Sequence, residues 1–254
     1  MTRNPATAAL RGILLDIEGT TTPISFVHEV LFTYARKQLR NFLERHLGSA
    51  ELFPDLEELR REHVLDLEQH ESPPMLLSGL RGEEIDRLVA YINWLMDRDR
   101  KSTGLKSLQG KLWKEGYLNK TLKAQLFDDV LPAFERWQRA GLSINIFSSG
   151  SAMAQELLFA HTEAGDLTGF IDNYFDTTIG AKRTVSSYAR IASTLGLPPT
   201  KILFISDVVE ELDAAAVIGM PTLLSVRPGN HGQPVTTGHQ IIHSFDEVFD
   251  QEIK

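Results

Sequence analysis

The chain has 254 residues, 42% of them apolar and 24% charged, which suits one to two globular domains at about 150 residues each and excludes collagen-like, coiled-coil and disordered chains. It has no cysteine, so disulfides, zinc–thiolate sites, iron–sulfur clusters and thiol nucleophiles are ruled out and a cytoplasmic home is favoured. With 26 Lys and Arg against 34 Asp and Glu, the net charge of −8 argues against nucleic acid and anionic membranes as partners, while a small anionic substrate remains open if a cation sits in its site.

The first 15 residues hold only a short apolar stretch, broken by Arg11 and ended by Asp16, so no secretory segment is expected there. Ile13-Leu14-Leu15 reads as a buried strand running into the polar loop Asp16-Ile17-Glu18-Gly19-Thr20. From about Thr22 to Leu126 the chain is rich in Leu, Glu, Arg and Lys at helical spacing, with no convincing strand. Val30, Leu31, Tyr34, Leu39, Phe42 and Leu43 share one helical stripe, and Leu88, Ile92, Leu95 and Met96 share another. Further strand-like runs follow at Leu142–Phe147, Ile202–Ile205 and Thr222–Val226, and more weakly at Tyr174-Phe175 and Ile241-Ile242. Between them lie helix-like stretches at Pro132–Ala140, Ala152–Ala160, Ser187–Leu195 and Val208–Ile218, three of them closed by Gly141, Gly196 and Gly219, as a left-handed C-terminal cap requires.

Strand and helix in alternation imply an α/β fold, a doubly wound parallel sheet with helices on both faces. The long helical stretch reads as an insertion after the first strand, giving a core domain of residues 1–21 and 127–254 and a helical cap domain of residues 22–126. Its joints are placed at Thr20–Pro23 and Asp128–Pro132. No stretch of about 20 apolar residues is present to span a bilayer.

In such a sheet ligands bind beyond the carboxyl ends of the strands, near the point where strand order reverses. Asp16 and Glu18 end the first strand, Ser148-Ser149-Gly150-Ser151 the second and Ser206-Asp207 the third, with Gly180-Ala181-Lys182 before the helix leading to the third. Singly each is ordinary: Ser148–Ser151 reads as a helix cap, Lys182 as a surface charge, Asp207 as an N-cap. In this order each answers a demand of phosphoryl transfer. An Asp such as Asp16 is needed as nucleophile to form an acyl-phosphate, and a second carboxylate two residues on can protonate the leaving oxygen and later activate water. Hydroxyls and N–H groups at a helix start can hold phosphoryl oxygens, a lysine can neutralise the transition state, and another carboxylate can complete an all-oxygen magnesium site. The helical insertion would act as a lid.

The stretch Leu14-Leu15-Asp16-Ile17-Glu18-Gly19-Thr20-Thr21-Thr22-Pro23-Ile24-Ser25-Phe26-Val27 resembles the haloacid-dehalogenase-like superfamily, and within it the enolase-phosphatases of methionine salvage. Glu18 is the discriminating residue, since most phosphatases of the superfamily carry Asp there. Leu108-Gln109-Gly110-Lys111-Leu112-Trp113 with Gly116-Tyr117, Phe147–Ser151, Gly180–Lys182 and Ser206-Asp207-Val208 with Glu211 are similar to the same family. The resemblance implies a Rossmann-like core that converts 2,3-diketo-5-methylthiopentyl-1-phosphate into an acireductone by enolisation and then loss of phosphate, with one Mg2+; separately, the net charge of −8 is compatible with a soluble monomer. It implies Asp16 as nucleophile and metal ligand, Glu18 as acid/base and second metal contact through its side chain or its backbone carbonyl, Ser148, Ser149 and Lys182 as substrate-binding residues, and Asp207 as the remaining metal ligand. Glu211 is given a supporting role one helical turn after Asp207.

Trp113 and Tyr117, four apart, are expected to pack the interior of the insertion, and His28 and Glu29 to lie on its surface. Dinucleotide, phosphate-loop and serine-nucleophile fingerprints are absent. A phosphatase acting on another small ester and a non-catalytic binding protein on the same fold are the rival expectations.

Overall fold

The computed structural model describes residues 10–76, 81–98, 100, 102–230 and 238–249. They form two compact units, one made of the described residues up to Val27 and from Leu122 on, the other of His28–Thr121.

In chain order the helices are α1 (Phe32–His46), α2 (Phe53–Glu68), α3 (Arg81–Asp97) and α4 (Thr103–Leu118) in the second unit, then α5 (Val130–Arg139), α6 (Ala152–Ala160), α7 (Val185–Leu195) and α8 (Val209–Val217) in the first. The strands β1 (Gly12–Leu15), β2 (Ser143–Phe147), β3 (Asn173–Phe175), β4 (Ile202–Ser206), β5 (Thr222–Ser225) and β6 (Gln240–Ile242) make one sheet ordered β3-β2-β1-β4-β5-β6, and all pairs are parallel. This is the doubly wound arrangement, with its reversal of strand order between β1 and β4.

Strands β1 and β4 are buried along their whole length, and so is β2 beyond its first residue, because parallel strands covered on both faces read as continuous apolar runs. The edge strands β3 and β6 have three residues each and gave correspondingly faint signals. On α5, Val130, Ala133, Phe134 and Trp137 repeat at helical spacing and are all buried. Gly196 caps α7 with φ 64°, and Gly141 and Gly219 turn the chain after α5 and α8 with φ 73° and 83°.

The second unit has its own core, in which Leu39, Phe42 and Leu43 of α1 meet Leu56 and Leu59 of α2, Leu88, Ile92 and Leu95 of α3, and Leu108 and Leu112 of α4. The unit boundaries fall at Val27/His28 and Thr121/Leu122, inside the joints read from the sequence. Both flanks are tied to the first unit by backbone bonds: Phe127 N donates to Thr21 O, Ala124 N to His161 O, and Glu163 N to Ala124 O. The chain passes from one unit to the other in a π-helical stretch, Phe26–Leu31, which a 3.6-residue apolar period does not reveal. Among the described residues no helix is long and apolar enough to cross a membrane.

Candidate active site

Strand register brings the sequence motifs together. Leu15 pairs with Ile146 on one side and Ile205 on the other, so Asp16 lies level with Phe147 and Ser206, one residue short of Ser148 and Asp207. With neighbouring strands about 4.8 Å apart, Ser148, Asp16 and Asp207 line one sheet edge at the reversal of strand order.

Asp16 is buried, and its backbone N–H still bonds Ile205 O at 3.0 Å, so the end of the ladder fixes the carboxylate. Its Oδ1 accepts from Ile17 N (2.7 Å) and lies 2.6 Å from Lys182 Nζ, while its Oδ2 accepts from Ser206 Oγ at 3.3 Å. Lys182 Nζ also lies 2.8 Å from Glu211 Oε2, which in turn accepts from Ser206 Oγ at 3.0 Å. The lysine reaches this place because Gly180, at φ 138°, lets the chain pass so close to α7 that a Cβ there would lie 2.3 Å from Ser187 Oγ. Behind it the Tyr188 hydroxyl donates to Lys182 O and the Ser187 hydroxyl to Ala181 O.

Ser148 is buried, and its Oγ accepts from Gly150 N at 3.3 Å, whereas Ser149 is exposed. The side-chain cap of α6 is Ser151, which accepts from Ala154 N, so the capping role read for Ser148–Ser151 falls to the last of them. The N-terminus of α6 therefore stands at the end of β2 as a potential anion site beside Ser148 and Ser149. Asp207 does not cap α8: the cap position is Val208, whose N–H donates to Ser206 Oγ. Glu18 is half-buried, in the turn where Gly19 N donates to Thr22 O.

Three buried carboxylates here face one cation. Burial, followed by the charge of Asp16, pushes the Asp207 carboxyl up to about 7, and the same two causes raise Glu211. Burial pulls Lys182 down, but the carboxylates of Asp16 and Glu211 outweigh it and the ammonium is held above its ordinary value. The net negative charge and the hard oxygen donors suit a small divalent cation. Among the described residues no group of three or more His, Asp or Glu side chains is placed as a metal cage, so Asp16 and Asp207 would leave room for backbone carbonyl and water ligands. In proteins generally, small hard divalent cations are held through one or two carboxylates with several waters retained.

The haloacid dehalogenase-like hydrolase model matches residues 10–219. The chain belongs to that family. Among its relatives, Enolase-phosphatase E1 of Synechococcus elongatus is 51% identical over 245 residues, 96% of this chain and 100% of that protein. Enolase-phosphatase E1 of Sorangium cellulosum is 43% identical over 238 residues, covering 94% of this chain and 97% of its own. The crystal structure of the UTR4 protein of Saccharomyces cerevisiae superposes with a TM-score of 0.74 at 33% identity, over 94% of this chain and 99% of that one.

Two parts of the site escaped the sequence reading. Glu211 lies against Lys182 itself, more directly than its spacing from Asp207 suggested, and Ser206 bridges Asp16 and Glu211. The signal for Ser206 was its place level with Asp16 at the end of an apolar run. In the second unit Trp113 packs on the core and donates from Nε1 to Leu31 O at 2.9 Å, Tyr117 is buried, and His28 and Glu29 are exposed. Lys111 of the Gln109–Trp113 stretch pairs with the buried carboxylate of Asp55.

Proposed function

We infer that this chain is a bifunctional enolase-phosphatase of methionine salvage, turning 2,3-diketo-5-methylthiopentyl-1-phosphate into an acireductone and phosphate. The observation that carries the reading is the 51% identity to an enolase-phosphatase along nearly the whole chain, with Asp16 and Lys182 in contact at the switch point of the sheet. The active form is taken as a cytoplasmic monomer in which the first unit carries the chemistry and the helical unit serves as cap.

The carbon that bears the phosphate ester lies next to a carbonyl, so its proton is acidified. Glu18, which does not serve as the nucleophile, removes and keeps that proton, and the carbonyl oxygen takes one up from solvent to give the enol phosphate. Asp16 then attacks phosphorus through a carboxylate oxygen, and the ester oxygen leaves with a proton from Glu18. Water, giving a proton to Glu18, hydrolyses the aspartyl-phosphate and releases inorganic phosphate, and Glu18 returns to the carboxylate by losing that proton to solvent. Through these steps Ser148, Ser149 and the start of α6 hold phosphoryl oxygens, and Lys182 offsets the charge that grows on them. Glu211 and Ser206 keep Lys182 and Asp16 in register. Asp16, Asp207 and the Glu18 backbone carbonyl would hold one Mg2+, which when bound supplies positive charge to phosphoryl and enolate oxygens.

Acid-quenching the enzyme during turnover and mapping the phosphoryl group by mass spectrometry tests the covalent step. The label is expected on Asp16; a label on another residue overturns the assignment.

A further inference from the structure

We propose that Ser225, Arg227 and Asn230, in the segment leaving β5, are positioning residues that grip the Gly19–Thr20 turn and thereby set Glu18 and Asp207 against the reacting group. The inference rests on the reaction proposed above, but its geometry is independent of it.

Three side-chain donors converge on two consecutive carbonyls. Ser225 Oγ donates to Gly19 O at 3.2 Å, Asn230 Nδ2 to the same oxygen at 2.9 Å, and Arg227 Nε to Thr20 O at 3.2 Å. The guanidinium is itself immobilised. It is buried, its Nη1 donates to Asp129 Oδ2 (2.6 Å) and His243 O (3.0 Å), and it sits 4.7 Å from the ring centre of Phe127 and 4.5 Å from that of Phe245. Asp129 is held by Ser244 Oγ and by the backbone N–H of Phe245.

The turn does not need these donors to close. Gly19 N already bonds Thr22 O, and the N–H groups of Thr20, Thr21 and Thr22 all reach Ile17 O. What the β5 segment adds is a fixed position for a turn already complete within itself. That position matters because the turn is wedged against Asp207: a Cβ on Gly19 would lie 2.3 Å from Asp207 Oδ2 and 3.0 Å from Asn230 Nδ2. Glu18 immediately precedes the gripped carbonyls, so a shift of the turn moves both its side chain and its backbone carbonyl. Displacements of about 1 Å at a reacting centre can cost about 100-fold in rate.

The test uses the full chain with Ser225→Ala, Asn230→Ala and both together, with Ser225→Thr and Arg227→Lys beside them. Kinetics on the diketone phosphate and hydrogen exchange of the Gly19–Thr22 amides are read in parallel. In the double variant kcat should fall about 10- to 100-fold with KM within about twofold, and exchange at Gly19–Thr22 should quicken while amides of β2 and α5 hold their rates. Ser225→Thr, which keeps the hydroxyl, should restore the rate. Arg227→Lys, which keeps the charge but loses the Nε donor, should lower kcat as the alanine variants do. Unchanged kcat in the double variant overturns the proposal, as does a loss matched by an equal loss of folded protein. Should the wild type lack activity, the proposed reaction fails, and exchange alone decides: unaltered Gly19–Thr22 amides in the double variant refute the grip, selective quickening supports it.

Discussion

Lys182 is the only cation in contact with Asp16 and Glu211 among the described residues, and Lys182→Met removes it without removing much volume. Asp16 and Glu211 then lose their ammonium partner, with Asp207 close by, and breaking a buried pair from one side costs about 3–5 kcal/mol. Much of that penalty can be relieved by proton uptake, because burial and Asp16 already hold Asp207 and Glu211 above the ordinary carboxylate range. In the variant these groups rise further, so between about pH 4 and their folded values the native state binds more protons than the unfolded chain, and stability falls as pH rises. The variant should therefore approach the wild type near about pH 5 and lie about 3 kcal/mol below it near about pH 8. Urea midpoints at the two pH values, with a chelator present and a shared m-value, measure this directly. Phosphate release should fall by at least about 100-fold, the scale of losing one electrostatic stabiliser. Parallel pH profiles for the two proteins, or a variant that keeps a tenth of the rate, would refute the reasoning.

Asp16→Asn should abolish phosphate release and leave the circular dichroism spectrum unchanged. In Glu18→Gln both the enol absorbance and phosphate release should collapse; enolisation at the wild-type rate removes Glu18 as its base. Gly19→Ala places a methyl group 2.3 Å from Asp207 Oδ2 at a φ of 68°, so stability should drop by about 1 kcal/mol or more in thermal unfolding, with activity lost beyond the unfolded fraction. Burial raises the Asp129 carboxyl, but Arg227 and the N–H of Phe245 outweigh it and hold it low. Its contribution is thus complete above the ordinary Asp value of about 3.9 and is lost as pH falls through the depressed folded value. Asp129→Asn should cost about 3 kcal/mol from about pH 5 to pH 8, and the gap should narrow as pH falls below the ordinary Asp value of about 3.9.

The central strands were legible because a parallel strand buried on both faces favours a short apolar run; β1 and β4 are little else, and β2 departs from it at Ser143 and the buried Asn145. The helix ends were legible at Gly141, Gly196 and Gly219 because a left-handed cap favours glycine. Asp16, Ser148, Lys182 and Asp207 could be read in order along the chain, but their meeting depends on strand register and on the close pass at Gly180. The Lys182–Glu211 contact and the Ser206 bridge depend on side-chain direction at the end of β4, which no period encodes. The grip of Ser225, Arg227 and Asn230 on the Gly19–Thr20 turn was silent in the sequence because these donors act on backbone carbonyls more than 200 residues away, and backbone acceptors carry no residue signature. The unit boundaries depend likewise on backbone bonds of Phe127 and Ala124, so composition alone placed them several residues outward.

The most direct test of the account follows 2,3-diketo-5-methylthiopentyl-1-phosphate through turnover, recording ultraviolet absorbance of the enolised product and free phosphate together, with Mg2+ and with chelator. Both signals should appear with Mg2+, the first preceding the second, and phosphate release should stop in chelator. Phosphate released from simple esters with none from the diketone, or no turnover of either, would contradict it.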